Sequence, residues 1–130
     1  MSFTVFILSL SSILLYGKES PQRWQDTPSD LISKHDVAIA FEERIFDAVV
    51  EDLQMREPTE NFSPIHVICL DTKDNPQEAK IQGRIALELC WSLEAAASNL
   101  ISEAPVIIET FQQERMSHTP IKVLYQLCYL

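Results

Sequence analysis

Apolar residues occur along this chain in two kinds of block, short continuous runs and longer stretches with a helical repeat. Continuous runs of β-branched and aromatic residues are typical of strands covered on both faces, whereas apolar residues three or four positions apart form one face of a helix. In chain order the blocks predict strand, helix, strand, long helix, short helix and strand. The expected fold is α/β, with a small three-stranded sheet covered by helices, or the related α+β arrangement with one antiparallel strand.

The first apolar run covers residues 3–17 and has two interpretations. The β-branched and aromatic residues of Phe3–Ile7 favour a buried strand. A secretory signal peptide has an apolar stretch of similar length, but no Lys or Arg precedes this one. Leu15 and Tyr16 also stand where a cleavage site needs small residues. We expect the strand and keep the signal peptide as the alternative.

Residues 18–34 are polar and carry two prolines, which predicts a long surface loop. Trp24 is the large apolar exception within it. Its ring either pins the loop onto the body of the protein or forms an exposed anchor for a protein partner.

A helical repeat dominates from Asp36 to Arg56, although Val37–Phe41 also fit a short strand. On a helical projection the apolar arc reaches Phe46 and Val50 and spans roughly 220°, which is wider than one core face needs. A second element must therefore cover this helix. That element comes either from the same chain or from a second subunit, which makes Phe46 and Val50 interface candidates.

The second half of the chain has clearer boundaries. Residues 64–71 read as a central strand, and the turn after it leads to Asn75, whose side chain can cap a helix that begins at Pro76. We expect that helix to run to about Ile101. Ala104-Pro105 should end it, a shorter helix should reach Met116, and residues 121–130 should form the last strand. At 130 residues we expect one domain over 1–130.

The charge balance restricts the class of partner. Ten basic and nineteen acidic residues give a net charge of −9, which disfavours nucleic acids and anionic membrane surfaces. The excess is concentrated in residues 36–57, and Glu43, Asp47 and Glu51 form an acidic row at helical spacing. The row is either a solvated surface or a docking face for a basic protein.

Glycine, histidine and cysteine usage argues against cofactors and metals. With two glycines the chain cannot build a phosphate-cradling loop of the P-loop or dinucleotide-binding kind. The three histidines form no pair at metal-ligand spacing. Cys69, Cys90 and Cys128 lie far apart in apolar runs and read as buried thiols of a reducing compartment, with a disulfide as the alternative.

Two functional hypotheses follow. The first is a non-catalytic interaction module or small subunit in a homo- or hetero-oligomer, intracellular and cytoplasmic, using Trp24, the wide helix and the acidic row. The alternative is a small enzyme or ligand-binding domain with its site where the central strand ends, because open α/β sheets bind ligands beyond the carboxyl ends of their strands. The residues of that alternative site are Asp71, Thr72, Lys73 and Asn75.

Overall fold

The computed structural model describes residues 3–8, 24–71, 76–115 and 121–130. Its strands are β1 (Val5–Leu8), β2 (Val37–Ala40), β3 (Pro64–Asp71) and β4 (Lys122–Tyr129). They form one sheet in the order β1-β2-β3-β4, in which β1, β2 and β3 are parallel and β4 is antiparallel to β3. The α/β class is confirmed, and the count of three strands is wrong by one.

The additional strand is β2, which occupies the start of the predicted Asp36–Arg56 helix. All four of its residues are buried, and it pairs with β1 on one side and β3 on the other. Backbone pairing on both sides outweighed the local helical repeat, so the short-strand alternative for this segment is the correct one. The helix itself, α2, runs over Glu43–Met55.

The other helices are α1 (Ser29–Ile32), α3 (Pro76–Ala95) and α4 (Leu100–Arg115), with 3-10 turns at Trp24–Asp26 and Ala97–Asn99. The predicted break at Ala104-Pro105 is wrong, because the chain leaves helical geometry at Ala96 (φ −106°, ψ 17°). Pro105 lies inside α4. It removes the hydrogen bond to the Ile101 carbonyl, and both residues are exposed, so water can solvate that carbonyl.

Each face of the sheet carries its own apolar core. Side chains alternate between the faces along β2 and β3, which places Ala38 and Val67 with α2 on one face and Ile39 and Ile68 with α3 and α4 on the other. No helix in the described part of the chain is long and apolar enough to cross a membrane.

The predicted polar loop at 18–34 contains ordered structure in its second half, whereas residues 9–23, which include the end of the first apolar run, lie outside the described ranges. Trp24 is 4% exposed, and its indole N–H donates to Asp52 Oδ2 at 2.7 Å. Arg56, at the end of α2, donates to Asp52 Oδ2 (2.7 Å), the Thr27 carbonyl (2.6 Å) and the Trp24 carbonyl (2.9 Å). We call this group of side chains, Trp24, Asp52 and Arg56, the Arg56 clamp.

The clamp shows what covers the wide apolar arc of α2. Trp24 and Ile32 join Phe46 in one core cluster, and Val50 packs against it. The expectation that Trp24, Phe46 and Val50 form an exposed interface is therefore corrected: the chain itself supplies the second cover. A single domain over 1–130 remains a prediction.

A second polar contact lies inside the sheet, between β3 and β4. His66 is 1% exposed, its Nδ1 lies 2.7 Å from the Tyr125 hydroxyl, and the two rings stack with centroids 5.8 Å apart. Burial lowers the pKa of His66, and the nearby Asp36 charge opposes that effect. Burial raises the pKa of Tyr125 to about 12, so the phenol stays protonated as a hydrogen-bonding group.

Removing the Arg56 guanidinium should weaken the packing of Trp24 and Ile32 against α2. We expect Arg56→Met to lower the free energy of unfolding by about 3 kcal/mol, because it leaves the Asp52 carboxylate and two carbonyls short of a charged donor. Urea denaturation measures this. Arg44→Met is the matched control, because the Arg44 side chain is 80% exposed and its removal should change stability little. Equal stability of the two variants would contradict the clamp.

The His66 site should make stability depend on pH. Its pKa in the folded protein lies below the unfolded value of 6.5, so below pH 6.5 the unfolded chain binds a proton that the folded protein does not. Stability should fall as the pH drops from 8 to 5.5, as measured by urea midpoints. His66→Gln keeps a hydrogen-bonding side chain without the titration and should flatten this slope, whereas His35→Gln should not. Parallel slopes in wild type and His66→Gln would show that another group is responsible.

Candidate functional site

The carboxyl ends of the three parallel strands lie at one edge of the sheet. Leu8 pairs with Ala40, Ala40 pairs with Cys69, and β3 extends two residues further to Asp71. The N-terminus of α2 follows β2 at the same edge. This is the position at which open α/β sheets bind ligands.

Among the described polar side chains at this edge, three lie on β3, β4 and the start of α2. Asp71 is paired in register with Lys122 at the start of β4, and both lie on the α2 face of the sheet. Lys122 Nζ donates a hydrogen bond to Glu43 Oε1 in the first turn of α2. That hydrogen bond, then the Glu43 charge and to a smaller extent Asp71, raise the pKa of Lys122. We call Glu43, Asp71 and Lys122 the edge cluster.

The Cys69 thiol lies beneath the edge cluster. Burial raises its pKa to about 12, and the charges of Asp71, Glu43 and Asp47 add to the effect, whereas Lys122 opposes it. Burial also raises the pKa of Cys90 and Cys128. All three cysteines are free. Each thiol is therefore protonated at neutral pH and is a poor nucleophile.

The structure brings together some of the residues predicted from the sequence. Asp71 stands at the edge, as the enzyme alternative required, while Thr72, Lys73 and Asn75 lie outside the described residues. Glu43 joins the edge cluster. The other two members of the predicted acidic row, Asp47 and Glu51, are exposed on α2.

Sequence reasoning missed Lys122 as a site residue. The sequence places Lys122 only within the last strand, over residues 121–130, and its partner Glu43 lies 79 positions earlier in the chain. The sequence instead predicts Lys73 as the base of this site, because it lies two positions after the central strand. Within the described ranges, no group of three or more His, Cys, Asp or Glu side chains could hold a metal ion.

Comparison with known proteins assigns the family. Residues 15–130 match the family model described as "Ssu72-like protein". The chain belongs to the Ssu72 family. The phosphatase ssu72 of Schizosaccharomyces pombe, named for the C-terminal domain (CTD) of RNA polymerase II, is 37% identical over 110 residues, which make up 85% of this chain and 52% of that protein.

Solved Ssu72 structures share the fold. The serine phosphatase of the RNA polymerase II CTD from Drosophila melanogaster superposes with a TM-score of 0.72 at 23% identity, over 88% of this chain and 55% of that one. D. melanogaster Ssu72 with symplekin, bound to a cis peptidomimetic phosphoserine peptide of the CTD, gives a TM-score of 0.70 at 23% identity, over 87% and 54% of the two chains. The chain thus spans about half the length of the relatives it matches.

These matches correct the functional hypothesis. The prediction of a non-catalytic interaction module, and the expectation that the chain is not an enzyme, are wrong, because the Ssu72 relatives are named as phosphatases. The alternative of a small enzyme agrees with them.

Thiol burial can be checked by alkylation. At pH 7.5 we expect iodoacetamide to label Cys69 very slowly in the folded protein, because the reactive thiolate is scarce when the pKa is about 12. Mass spectrometry of peptides quantifies the labelling of each cysteine. In concentrated urea all three cysteines should react, which controls for reagent quality. Rapid labelling of Cys69 under native conditions would show that the thiol is activated.

Proposed function

We propose that this chain acts in the hydrolysis of phosphoserine esters on a protein substrate, with the C-terminal domain of RNA polymerase II as the substrate class. The observation that carries the proposal is the position of Asp71: it is a carboxylate at the carboxyl edge of the sheet, in a chain that belongs to the Ssu72 family. The names of the relatives supply the substrate class.

A carboxylate at this edge can carry the proton transfers that ester hydrolysis needs. A bond forms between phosphorus and the oxygen of an attacking hydroxyl or water, and the bond between phosphorus and the serine oxygen breaks. Water is the final acceptor, and one of its protons ends on the serine hydroxyl as phosphate leaves. A carboxyl group at hydrogen-bonding distance from either oxygen accelerates such a step by about 10²–10⁴-fold. The raised thiol pKa values argue against Cys69 as the attacking group.

The proposal extends to setting and partner. The relatives are named after RNA polymerase II, which supports an intracellular, nuclear setting rather than the cytoplasmic one expected from the sequence. The fly relative has been solved with symplekin, which supports a protein partner for this chain. We expect that partner to be a different protein rather than a second copy of this chain.

Substitution of two carboxylates, Asp71 at the end of β3 and Asp74 three positions later in the sequence, tests the chemistry. Asp71→Asn should lower kcat/KM for a serine-phosphorylated CTD peptide by about 100-fold, because the proton-transfer group is lost while the shape is kept. Phosphate release measures the rate. Asp74→Asn is assayed beside it, because Asp74 is the next carboxylate after Asp71 in the sequence.

Glu51→Gln is the matched control for that assay, since it removes one exposed carboxylate from α2 outside the edge cluster. It should leave kcat/KM unchanged, and thermal melting should show that all variants fold. Wild-type protein that releases no phosphate would refute the proposed activity. Full activity in Asp71→Asn with a loss in Asp74→Asn would assign the proton-transfer role to Asp74 instead of Asp71.

A further inference from the structure

The strand β1 lies at one side of the sheet, and in the described sheet it pairs with β2 alone. The Thr4 carbonyl, just before it, accepts a hydrogen bond from the Val37 N–H at 3.3 Å. Alternate residues of a parallel strand bond to the same neighbour, so Phe6 also points its backbone groups to β2. The N–H and C=O groups of Val5 and Ile7 therefore point away from the sheet. We call this row of groups the outer edge of β1.

The side chains along the outer edge of β1 are uncharged. Residues 3–8 contain no charged residue and no proline, and the Ile7 side chain is 38% exposed. Charged residues and proline commonly protect an edge strand against pairing with further strands. The strand β4, on the other side of the sheet, has such protection, because Lys122 is exposed at its start. The two sides of the sheet thus differ in how open they are to another strand.

We infer that the outer edge of β1 binds an extended segment of a partner protein, which adds to the sheet as a fifth strand. A strand fits because its own alternating N–H and C=O groups match the outward groups of Val5 and Ile7. The inference concerns a second surface of the molecule and does not rest on the proposed phosphate hydrolysis.

The charge of the chain restricts the sequence of the bound segment. A net charge of −9 repels an acidic segment or a second copy of this chain at long range, and it attracts a basic segment. The residue next to Ile7 should be apolar, because neighbouring apolar side chains on one face of a sheet stabilise it. The expected segment therefore alternates β-branched and polar residues and carries lysine or arginine.

Hydration is the simpler state of this edge. With four residues β1 is short, and shortness alone limits pairing with other strands. The two states predict different behaviour of the backbone amides. A hydrated edge gains no protection from hydrogen exchange when a strand-forming peptide is added, whereas a binding edge does.

Amide hydrogen exchange of the full chain, followed by NMR, tests the inference. The probe is a synthetic peptide of alternating valine and threonine with a lysine at each end. In the free protein we expect the Val5 and Ile7 amides to exchange faster than the Phe6 amide, which is bonded to β2. Saturating peptide should slow the exchange of Val5 and Ile7 by about tenfold. A control peptide with alternate amides N-methylated lacks the N–H donors of one edge and should bind more weakly.

Ile7→Pro tests the backbone contact directly. It removes an N–H that faces away from β2, so the pairing of β1 with β2 is kept, and an edge strand tolerates proline in that position. We expect the Kd for the peptide, measured by fluorescence anisotropy, to rise roughly tenfold. Ile7→Val is the matched control, because it keeps the N–H and an apolar side chain. Thermal melting shows which variants fold. If Ile7→Pro does not, Ile7→Lys keeps the N–H, repels the lysines of the peptide and should also weaken binding.

The outcomes separate the alternatives. Equal binding of the N-methylated peptide, or no binding at about millimolar concentration, overturns the inference. Slow exchange of Val5 and Ile7 in the free monomer also overturns it, because the chain would then cover the edge itself. Protection that rises with protein concentration would assign the edge to a second copy instead of a partner protein.

The same measurements are independent of the proposed function. If wild type hydrolyses the phosphorylated CTD peptide but does not bind the strand peptide, the inference fails and the phosphatase function stands. If wild type binds the strand peptide through Ile7 but hydrolyses nothing, the function fails and the binding edge is supported.

Discussion

Burial of β3 on both faces is the constraint on which the rest of this structure depends. Ile65 to Leu70 are all buried, so their alternating side chains need an apolar partner above and below the sheet. The helix α2 meets this need on one face, and α3 and α4 meet it on the other. Because β2 and β4 pair with the two edges of β3, only the ends of this strand reach the surface. Asp71, a member of the edge cluster, lies at its carboxyl end.

The Arg56 clamp and the edge cluster lie at opposite ends of one helix. With 13 residues, α2 is about 20 Å long, and its apolar face packs on the sheet between these two groups of polar contacts. Arg56 of the clamp also bonds the carbonyls of Trp24 and Thr27, so it holds residues 24–27 against the C-terminal end of α2.

The sequence was informative where a pattern was local. The capping residues at the start of α3 and the continuous apolar run of β3 placed both elements correctly, because each signal depends on near neighbours. The pattern failed at β2, where the helical repeat dominates the sequence but pairing with two flanking strands decides the outcome in favour of a strand. It failed again at Pro105, since only the folded structure shows that the affected carbonyl faces water.

The same difference between local signals and long-range contacts explains which site residues the sequence revealed. Asp71 was found because it directly follows a recognisable strand, whereas Lys122 was not, because register between distant strands creates its relation to Asp71 and Glu43. The absence of glycine-rich loops suggested a non-catalytic protein, yet the Ssu72 match overturned that inference. Trp24 pins its loop onto the body, as one of its two interpretations predicts, and the partner-anchor alternative is wrong; its contact with Asp52, 28 residues away, is not visible in the local sequence.

The protonated state of Cys69 bears on how the protein responds to oxidants. Peroxide attacks the thiolate, and with a pKa of about 12 only about 10⁻⁵ of this thiol is ionised at pH 7. Burial is the main reason that this fraction is small, and the Asp71 and Glu43 carboxylates of the edge cluster add to it. Oxidants that inactivate enzymes with low-pKa cysteines should accordingly leave the Cys69 thiol unmodified.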